Sequence, residues 1–250
     1  MNKIQSEYEK VKNCEDPERI NSFLINLSQN CDHNSISYLK HFIDELDKES
    51  FQRVKLNLIF VLGQIAEKKY EFGREYIDFL IKEYYQSDRW IRNEIIVALS
   101  KILEGGDISI SNEIWKVISS ALKDNYQLIN KNVIALISNL NNVPDSVLKD
   151  VFVVLKSDNT ELVDETLELL KSHILNEIKL FKLLDLSENY RRLNKKAVRY
   201  ILGAFFDSGL KIRQLDNFRE AISLSEWEDE YKLLFISEID TYEKLFIKQL

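Results

Sequence analysis

Apolar residues recur at helical spacing along almost the whole chain of 250 residues, and no convincing run alternates strictly between apolar and polar side chains. The clearest segment is SDRWIRNEIIVALSKILE, residues 87–104. One face of the predicted helix carries Ile91, Ile95, Ala98, Leu99 and Ile102. Asp88 is placed to cap the start of this helix, and Gly105-Gly106 to end it. The pattern predicts an all-α fold.

Glycine and proline, which punctuate strands and loops, are scarce: the chain has 6 Gly and 2 Pro. Long helices joined by brief polar turns explain this scarcity, and short turns make neighbouring helices pack antiparallel as hairpins. No linker or low-complexity tract divides the sequence, which predicts a single domain over 1–250. The predicted helices cover 2–13, 17–29, 35–47, 50–68, 70–85, 88–104, 111–123, 126–140, 144–156, 159–175, 177–185, 188–207, 211–223, 225–238 and 240–249.

The second helix of each predicted hairpin repeats a pattern. Val54, Ile91, Leu128 and Leu162 occupy corresponding positions, 37, 37 and 34 residues apart. A fifth unit is recognisable over 187–207. One hairpin cannot bury its own apolar face, so a recurrence of this length favours hairpins stacked on one another. A helical bundle remains the alternative.

The repeated pattern is an acidic turn, a hydrophobic residue followed by a basic one, and then a small residue with leucine. In the clearest unit these are Asp88, Ile91-Arg92 and Ala98-Leu99. The pattern resembles HEAT repeats, a HEAT-like or armadillo-type α-solenoid family, over about residues 35–207, with 1–34 and 208–250 as capping helices. The resemblance implies an α-solenoid of about six to seven antiparallel helical hairpins in a right-handed superhelical stack. It also implies a ladder of charges between repeats, in which Asp88 and Arg92 take part and Lys55 replaces the usual Arg.

Charge and composition restrict the possible partners. The net charge is −7, and residues 51–200 carry 22 basic and 21 acidic groups. Without an excess of Lys and Arg to neutralise phosphates, nucleic acid is an unlikely partner. No apolar run reaches the length of a membrane span, and the N-terminus lacks the apolar core of a signal peptide. With only Cys14 and Cys31, which fit a reduced compartment, the sequence predicts a cytoplasmic protein.

Catalytic and metal motifs are missing from the sequence. It contains no glycine-rich phosphate loop and no nucleophile elbow. The di-iron hydroxylases built on HEAT-like repeats use His-Glu pairs, and no histidine here precedes a glutamate. Cys14, Cys31, His33 and His41 lack the spacing of a zinc knuckle and are interpreted as ordinary thiols and imidazoles. We therefore predict a non-enzymatic protein with no metal and no cofactor.

An alternative function comes from alkylpurine DNA glycosylases, which are similar in length and repeat type. Such enzymes need a carboxylate framed by aromatic rings. Asp88 beside Trp90, together with Trp115 and Trp227, could supply these groups. Against this, Asp88 is expected to cap its helix and Trp90 to pack between hairpins.

In a HEAT-like stack the second helices line the concave side. The polar residues predicted to bind there are Arg53, Asn57, Arg89, Asn93, Asn130, Arg192, Lys195, Lys196 and Arg199. This face is mixed in sign and rich in amides, which suits a peptide or a partner helix. The predicted function is a protein–protein interaction scaffold or adaptor, with its partner and oligomeric state left open.

The residues 191–199 form the strongest cluster of positive charge, and two interpretations stay open. Arg192, Lys195, Lys196 and Arg199 would lie on one face of the predicted helix 188–207, where they could attract an anionic partner. Alternatively, they pair with an acidic stripe on the preceding second helix. That stripe consists of Glu161, Asp164, Glu165 and Glu168.

Overall fold

The structure is a computed structural model that describes residues 3–32, 34–68, 73–105, 110–207 and 211–247. These residues form fourteen α-helices and no strand, which confirms the all-α prediction. The helices are α1 Lys3–Val11, α2 Pro17–Gln29, α3 Ser35–Glu45, α4 Lys48–Glu67, α5 Arg74–Gln86, α6 Arg89–Gly105, α7 Asn112–Ala121, α8 Gln127–Ser138, α9 Asp145–Val151, α10 Thr160–His173, α11 Glu177–Asp185, α12 Lys195–Phe205, α13 Ile212–Leu224 and α14 Asp229–Tyr242. Two 3-10 segments, Phe152–Lys156 and Leu186–Arg192, follow α9 and α11, and a π-helical turn, Glu243–Ile247, follows α14.

Several helices begin where aspartate caps them. Asp16 Oδ1 accepts the Glu18 N–H at 3.0 Å, and Pro17 opens α2 as predicted. Asp88 Oδ1 accepts the Trp90 and Ile91 N–H groups at 2.9 and 3.1 Å. These bonds satisfy backbone donors that a helix cannot pair internally. The predicted end of α6 is only partly described, because Gly106 lies outside the described residues.

The predicted helix 188–207 begins too early. The helix starts at Lys195, because the Asn194 side chain caps it by accepting the Ala197 N–H at 2.9 Å. Residues 186–192 form a separate turn in which Ser187 and Glu188 both adopt left-handed backbone angles, with φ of 54° and 55°. Left-handed residues cannot continue an α-helix. Arg192 therefore lies outside the helix that carries Lys195, Lys196 and Arg199.

The predicted break between helices 225–238 and 240–249 is also wrong. One helix, α14, runs through it from Asp229 to Tyr242. Phe235 and Ile239 are fully buried on this helix, and the intervening Glu238 is buried as well. Burial on both sides of the predicted break keeps the helix continuous.

The chain divides into two compact units, residues 1–117 and 118–250, and the division falls within α7. In the first unit, α2, α4 and α6 pack side by side. Each also contacts the helix that precedes it in the chain, α1, α3 and α5 respectively. Leu58 and Leu62 on α4 and Ile95 and Leu99 on α6 are fully buried.

Small residues allow α4 and α6 to approach closely. A Cβ atom placed on Gly63 would lie 3.3 Å from the Cα and 3.5 Å from the Cβ of Ala98. Such a distance is tighter than ordinary packing, so the backbone of α6 occupies the space that a side chain at residue 63 would need. Gly63 is therefore a packing residue.

In the second unit, α8, α10, α12 and α14 form a series in which each contacts the next. The helices between them form a second series, in which α9 contacts α11 and α11 contacts α13. Contact between every second helix is the pattern expected for stacked hairpins. None of the described helices is both long and apolar enough to cross a membrane.

Candidate functional site

The exposed side of α4 combines apolar, amide and basic side chains. Arg53, Leu56, Asn57 and Phe60 recur at helical spacing and share one face. Leu56 is 44% exposed and Phe60 is 38% exposed, whereas the nearby Val54, Leu58 and Ile59 are fully buried. Since α2, α3 and α6 all pack against α4, this face is the part of the helix left open to solvent.

The neighbouring helix α2 extends this surface through hydrogen bonds. Asn57 Nδ2 donates to Asn21 Oδ1 at 2.8 Å, and Asn21 Nδ2 donates to the Arg53 carbonyl oxygen at 3.4 Å. Ile25 follows Asn21 by one helical turn and is 51% exposed. The amides therefore hold α2 and α4 in register and place Ile25 on the same surface.

On the other side, α6 carries Trp90 and Asn93 at the positions 37 residues after Arg53 and Leu56. Trp90 is 56% exposed, so the prediction that it packs between hairpins is wrong. The Arg89 guanidinium carbon lies 5.1 Å from the centre of the Trp90 ring. We name the whole surface the amide–apolar strip. It comprises Asn21, Ile25, Arg53, Leu56, Asn57, Phe60, Arg89, Trp90 and Asn93.

One carboxylate lies beside this strip, at the position equivalent to Asn57. Glu94 is half-buried, and its burial raises its pKa, while the charge of Lys101 acts in the opposite direction. Lys101 Nζ also donates to Glu67 Oε2 at 2.8 Å on α4. The negative charge of Glu94 is thus held in a less favourable environment than water.

The predicted binding residues have different positions in the structure. Arg53 and Arg89 are exposed, and Asn57 and Asn93 are half-buried on the amide–apolar strip. Asn130 is buried instead, and its Nδ2 donates to the backbone carbonyl oxygens of Ala121 and Asp124 at 3.0 and 3.2 Å. Its inclusion among the binding residues was wrong, because its amide satisfies the turn between α7 and α8.

The basic cluster is paired with acidic residues of the same unit. Arg192 Nη1 lies 2.7 Å from Asp150 Oδ1, and Lys196 Nζ lies 2.9 Å from Asp158 Oδ1. Lys195 and Arg199 both contact Glu238, at 3.4 and 2.6 Å. The interpretation as ion pairs was right in kind, but the predicted partners were wrong. In the predicted acidic stripe, Glu161 pairs with Lys131 instead, at 3.1 Å.

Two buried carboxylates that were not predicted from the sequence, Asp150 and Glu238, accept three of these four pairs. Asp150, on α9, is 2% exposed and lies 2.7 Å from both Lys123 Nζ and Arg192 Nη1. Glu238 is 3% exposed; burial would raise its pKa, but the hydrogen bonds and charges of Arg199 and Lys195 lower it below its ordinary value. The signal in the sequence was an acidic residue within an apolar face, since Asp150 is followed by Val151-Phe152.

The sulfur and imidazole groups are dispersed. Cys14 and Cys31 are free and half-buried. His41 Nε2 lies 2.7 Å from the Lys12 carbonyl oxygen, and its ring meets that of Tyr8 edge-on. His33 lies outside the described residues. Within the part of the chain that the structure describes, no three His, Cys, Asp or Glu side chains are grouped so as to hold a metal ion.

Comparisons with known proteins extend the description of the fold. No family model matches the chain, and no curated protein shows significant sequence similarity to it. One similar solved structure is a crystal structure described as an engineered protein. It is 15% identical, covers 96% of this chain and 98% of its own, and gives a TM-score of 0.50. At this identity the likeness concerns the fold alone.

Proposed function

We propose that the protein is a non-enzymatic interaction module of the HEAT-like α-solenoid type, and that the amide–apolar strip binds a peptide or helix of another protein. The observation that carries this proposal is the exposure of four large apolar side chains on adjacent helices. They are Ile25, Leu56, Phe60 and Trp90. Between them lie amides and arginines rather than a uniform field of one sign.

Such a surface is suited to a protein partner. Covering the four apolar side chains would gain about 25 cal/mol for each Å² removed from water. Tryptophan and arginine are the residues most often found at energetic hot spots of interfaces, and Trp90 with Arg89 supplies both. Amide side chains can donate to and accept from the backbone of an extended peptide.

The contacts between alternate helices support the solenoid part of the proposal. The proposal takes the described helices as about six to seven hairpins paired in chain order, from α1–α2 to α13–α14. The right-handed superhelix, the single domain, the capping of 1–34 and 208–250, and the cytoplasmic location belong to the same proposal. The ladder of charges between repeats, with Asp88 and Arg92, is also part of the proposal. The Arg92 side chain makes a local contact at the start of α6, where its Nη1 donates to the Ser87 carbonyl oxygen at 3.1 Å.

The alternative function is that of a nucleic-acid-acting relative such as an alkylpurine DNA glycosylase. The exposed Trp90 ring favours this alternative, because it could stack on a base. The carboxylate beside Trp90 argues against the glycosylase alternative. Asp88 Oδ1 accepts two N–H groups of its own helix, so this oxygen already has a structural role as a helix cap. Trp227 is buried and donates from Nε1 to Asp185 Oδ1 at 2.8 Å.

The test is site-specific photo-crosslinking in the native host. A photoreactive amino acid replaces Phe60 in one variant, Leu56 in a second, and Lys40 in a control. Lys40 is exposed on α3, which packs against a different side of α4. We expect the same protein to be crosslinked from positions 56 and 60 but not from position 40, and mass spectrometry identifies it.

A second set of variants separates the two functions. Trp90→Ala and Phe60→Asp should each abolish crosslinking from position 56, whereas Lys40→Ala should leave it intact. Crosslinking of the same proteins from all three positions would contradict the proposal. Recovery of nucleic acid, with Trp90-dependent binding to a duplex that contains an alkylated purine, would establish the alternative instead.

A further inference from the structure

A groove between α11 and α13 forms a separate feature within the second unit. Its floor is made by Phe181, Phe218 and Ala221, and its volume is about 320 Å³. Phe218 is only 1% exposed. Phe181 stacks on the buried Trp227, with ring centres 5.5 Å apart and planes 12° apart. The floor is therefore built from rings that the core holds in place.

The walls of the groove project into solvent. Ile178 on α11 is 60% exposed, and Leu224 at the end of α13 is 78% exposed. A small molecule confined to the groove would leave the outer sides of both residues in water. A ligand that covers them must extend beyond the groove on both sides, as a helix or other protein segment does.

The charged residues that line the groove are both acidic. They are Glu177 on α11 and Glu220 on α13. Glu177 Oε1 accepts a hydrogen bond from Asn217 Nδ2 at 3.0 Å, which joins the two helices. Among the described residues neither glutamate has a cationic partner, in contrast to Asp150 and Glu238 in the same unit.

We propose that this groove is a second docking surface, and that its partner is an amphipathic helix with an apolar stripe flanked by lysines or arginines. The apolar stripe would cover Ile178, Phe181 and Leu224, and a basic residue beside it would pair with Glu220. This docking surface lies on α11 and α13, so it is independent of the proposed function of the amide–apolar strip.

Fluorescence anisotropy with a designed probe tests the proposal on the full chain. The probe is a labelled helical peptide of about 18 residues with a leucine stripe flanked by lysines. A second peptide replaces its lysines with glutamates, and a third keeps its composition but scrambles the stripe. We expect the first to bind about tenfold more tightly than either of the others.

Variants show whether the groove is the site. Leu224→Asp and Ile178→Asp should each weaken binding about tenfold or more. Leu233→Asp, at a residue of α14 that is 68% exposed and does not line the groove, should leave binding unchanged. Glu220→Lys should shift the preference toward the glutamate peptide. Circular dichroism confirms that each variant is folded.

Three results would overturn the proposal. The first is equal binding of the striped and scrambled lysine peptides, which would indicate attraction to the net negative charge alone. The second is an equal effect of Leu224→Asp and Leu233→Asp. The third is a concentration-dependent dimer of the unmodified chain that Leu224→Asp dissociates, since the groove would then be occupied by a second copy.

Discussion

At the residue scale, Lys55 and Glu83 form an ion pair that solvent barely reaches. Lys55 Nζ lies 2.9 Å from Glu83 Oε2, and the two side chains are 2% and 8% exposed. The ammonium group also lies 5.8 Å from the centre of the Phe51 ring. Because Lys55 is on α4 and Glu83 on α5, the pair joins two helices that follow each other in the chain.

Removing one member of this pair should be strongly destabilising. In Lys55→Met the carboxylate of Glu83 stays buried without its cation, and we expect the free energy of unfolding to fall by about 3–5 kcal/mol. The double variant Lys55→Met/Glu83→Leu should recover most of this loss, because no buried charge remains. Urea denaturation followed by circular dichroism measures both.

The matched control for this pair is Lys101→Met. Lys101 forms an ion pair of similar length with Glu67, at 2.8 Å, but Glu67 is 61% exposed. Water can solvate the carboxylate of Glu67, and Glu94, which also loses the nearby charge of Lys101, is only half-buried. A loss much smaller than that of Lys55→Met is therefore expected. A loss in Lys101→Met as large as that in Lys55→Met would show that burial does not determine the effect.

Glu94, on α6, should make stability depend on pH in an unusual direction for a carboxylate. Burial raises its pKa, so the native state binds the proton more readily than the unfolded chain does. Its ionised form therefore opposes folding above the native pKa, and this cost disappears as the pH falls. Glu94→Gln should raise the free energy of unfolding at pH 7 by up to about 1 kcal/mol, and the gain should vanish at acid pH.

Glu67→Gln provides a comparison with the opposite sign, since the hydrogen bond and charge of Lys101 lower the pKa of Glu67. The native state then binds the proton less readily than the unfolded chain. The stabilisation from this carboxylate is present above its unfolded pKa and is lost as the pH falls through its native pKa. Equal pH profiles for Glu94→Gln and Glu67→Gln would contradict both assignments.

At the scale of secondary-structure elements, the spacing of α4 and α6 depends on a glycine. Gly63→Leu should lower the free energy of unfolding by about 1–3 kcal/mol or more, because Ala98 and its backbone leave no room for the new side chain. Gly203 lies within α12, and apart from its chain neighbours and the backbone of its own helix no atom is within 4 Å of the position that a Cβ would take. There Gly203→Ala should be stabilising by about 0.5–1 kcal/mol, since alanine favours the helix. Thermal unfolding measures both, and a stabilising Gly63→Leu would contradict the close approach.

The sequence predicted most helices because their causes are local. Asp16-Pro17 and Asp88 act within one turn of a helix, and the apolar spacing of α6 needs no knowledge of its neighbours. The turn at residues 186–192 depends on distant contacts. There Asn189 is fully buried, and its Nδ2 donates to the Lys149 carbonyl oxygen 40 residues away, at 2.8 Å. Helical periodicity carries no information about such a contact.

The candidate site was predictable in its polar residues and not in its apolar ones. Arg53, Asn57, Arg89 and Asn93 follow from helix phase alone. Leu56 and Phe60 fit an apolar pattern equally well whether they are buried or exposed, and only the packing of α2, α3 and α6 distinguishes the two. The same uncertainty affected the pairing of the basic cluster, because its partners lie on other helices.

At the scale of the whole molecule, ion pairs between separate helices and turns recur within residues 118–250. Asp150 forms ion pairs with Lys123 and Arg192, which lie in two different turns. Glu238 on α14 forms ion pairs with Lys195 and Arg199 of α12. Each of these carboxylates is buried and therefore depends on its cations. Contacts of this type connect segments that lie far apart in the sequence.

Glu238→Gln should reveal how these contacts respond to acid. The lowered native pKa of Glu238 means that its stabilisation is present above the unfolded pKa of glutamate, about 4.3, and is lost as the pH falls through the native pKa. At pH 7 the variant should lose about 1–2 kcal/mol of unfolding free energy, because the exposed cations can still be hydrated. Its difference from the unmodified chain should shrink below pH 4.3.

The control for Glu238 is Glu161→Gln, because Glu161 is 67% exposed and pairs with Lys131 on a neighbouring helix. We expect it to change stability little at any pH. Chemical denaturation at several pH values measures both variants. An acid-dependent loss of equal size in the two would show that the buried position of Glu238 is unimportant.

The glycine at residue 63 has a consequence for recognition as well as for packing. The close contact of Gly63 with Ala98 sets the distance between α4 and α6. It therefore also sets the distance between the exposed face of α4, which carries Phe60, and that of α6, which carries Trp90. A partner that contacts both Phe60 and Trp90 would have to fit the distance between α4 and α6. A substitution at this buried position would then change partner selection in a binding screen, although residue 63 never meets the partner.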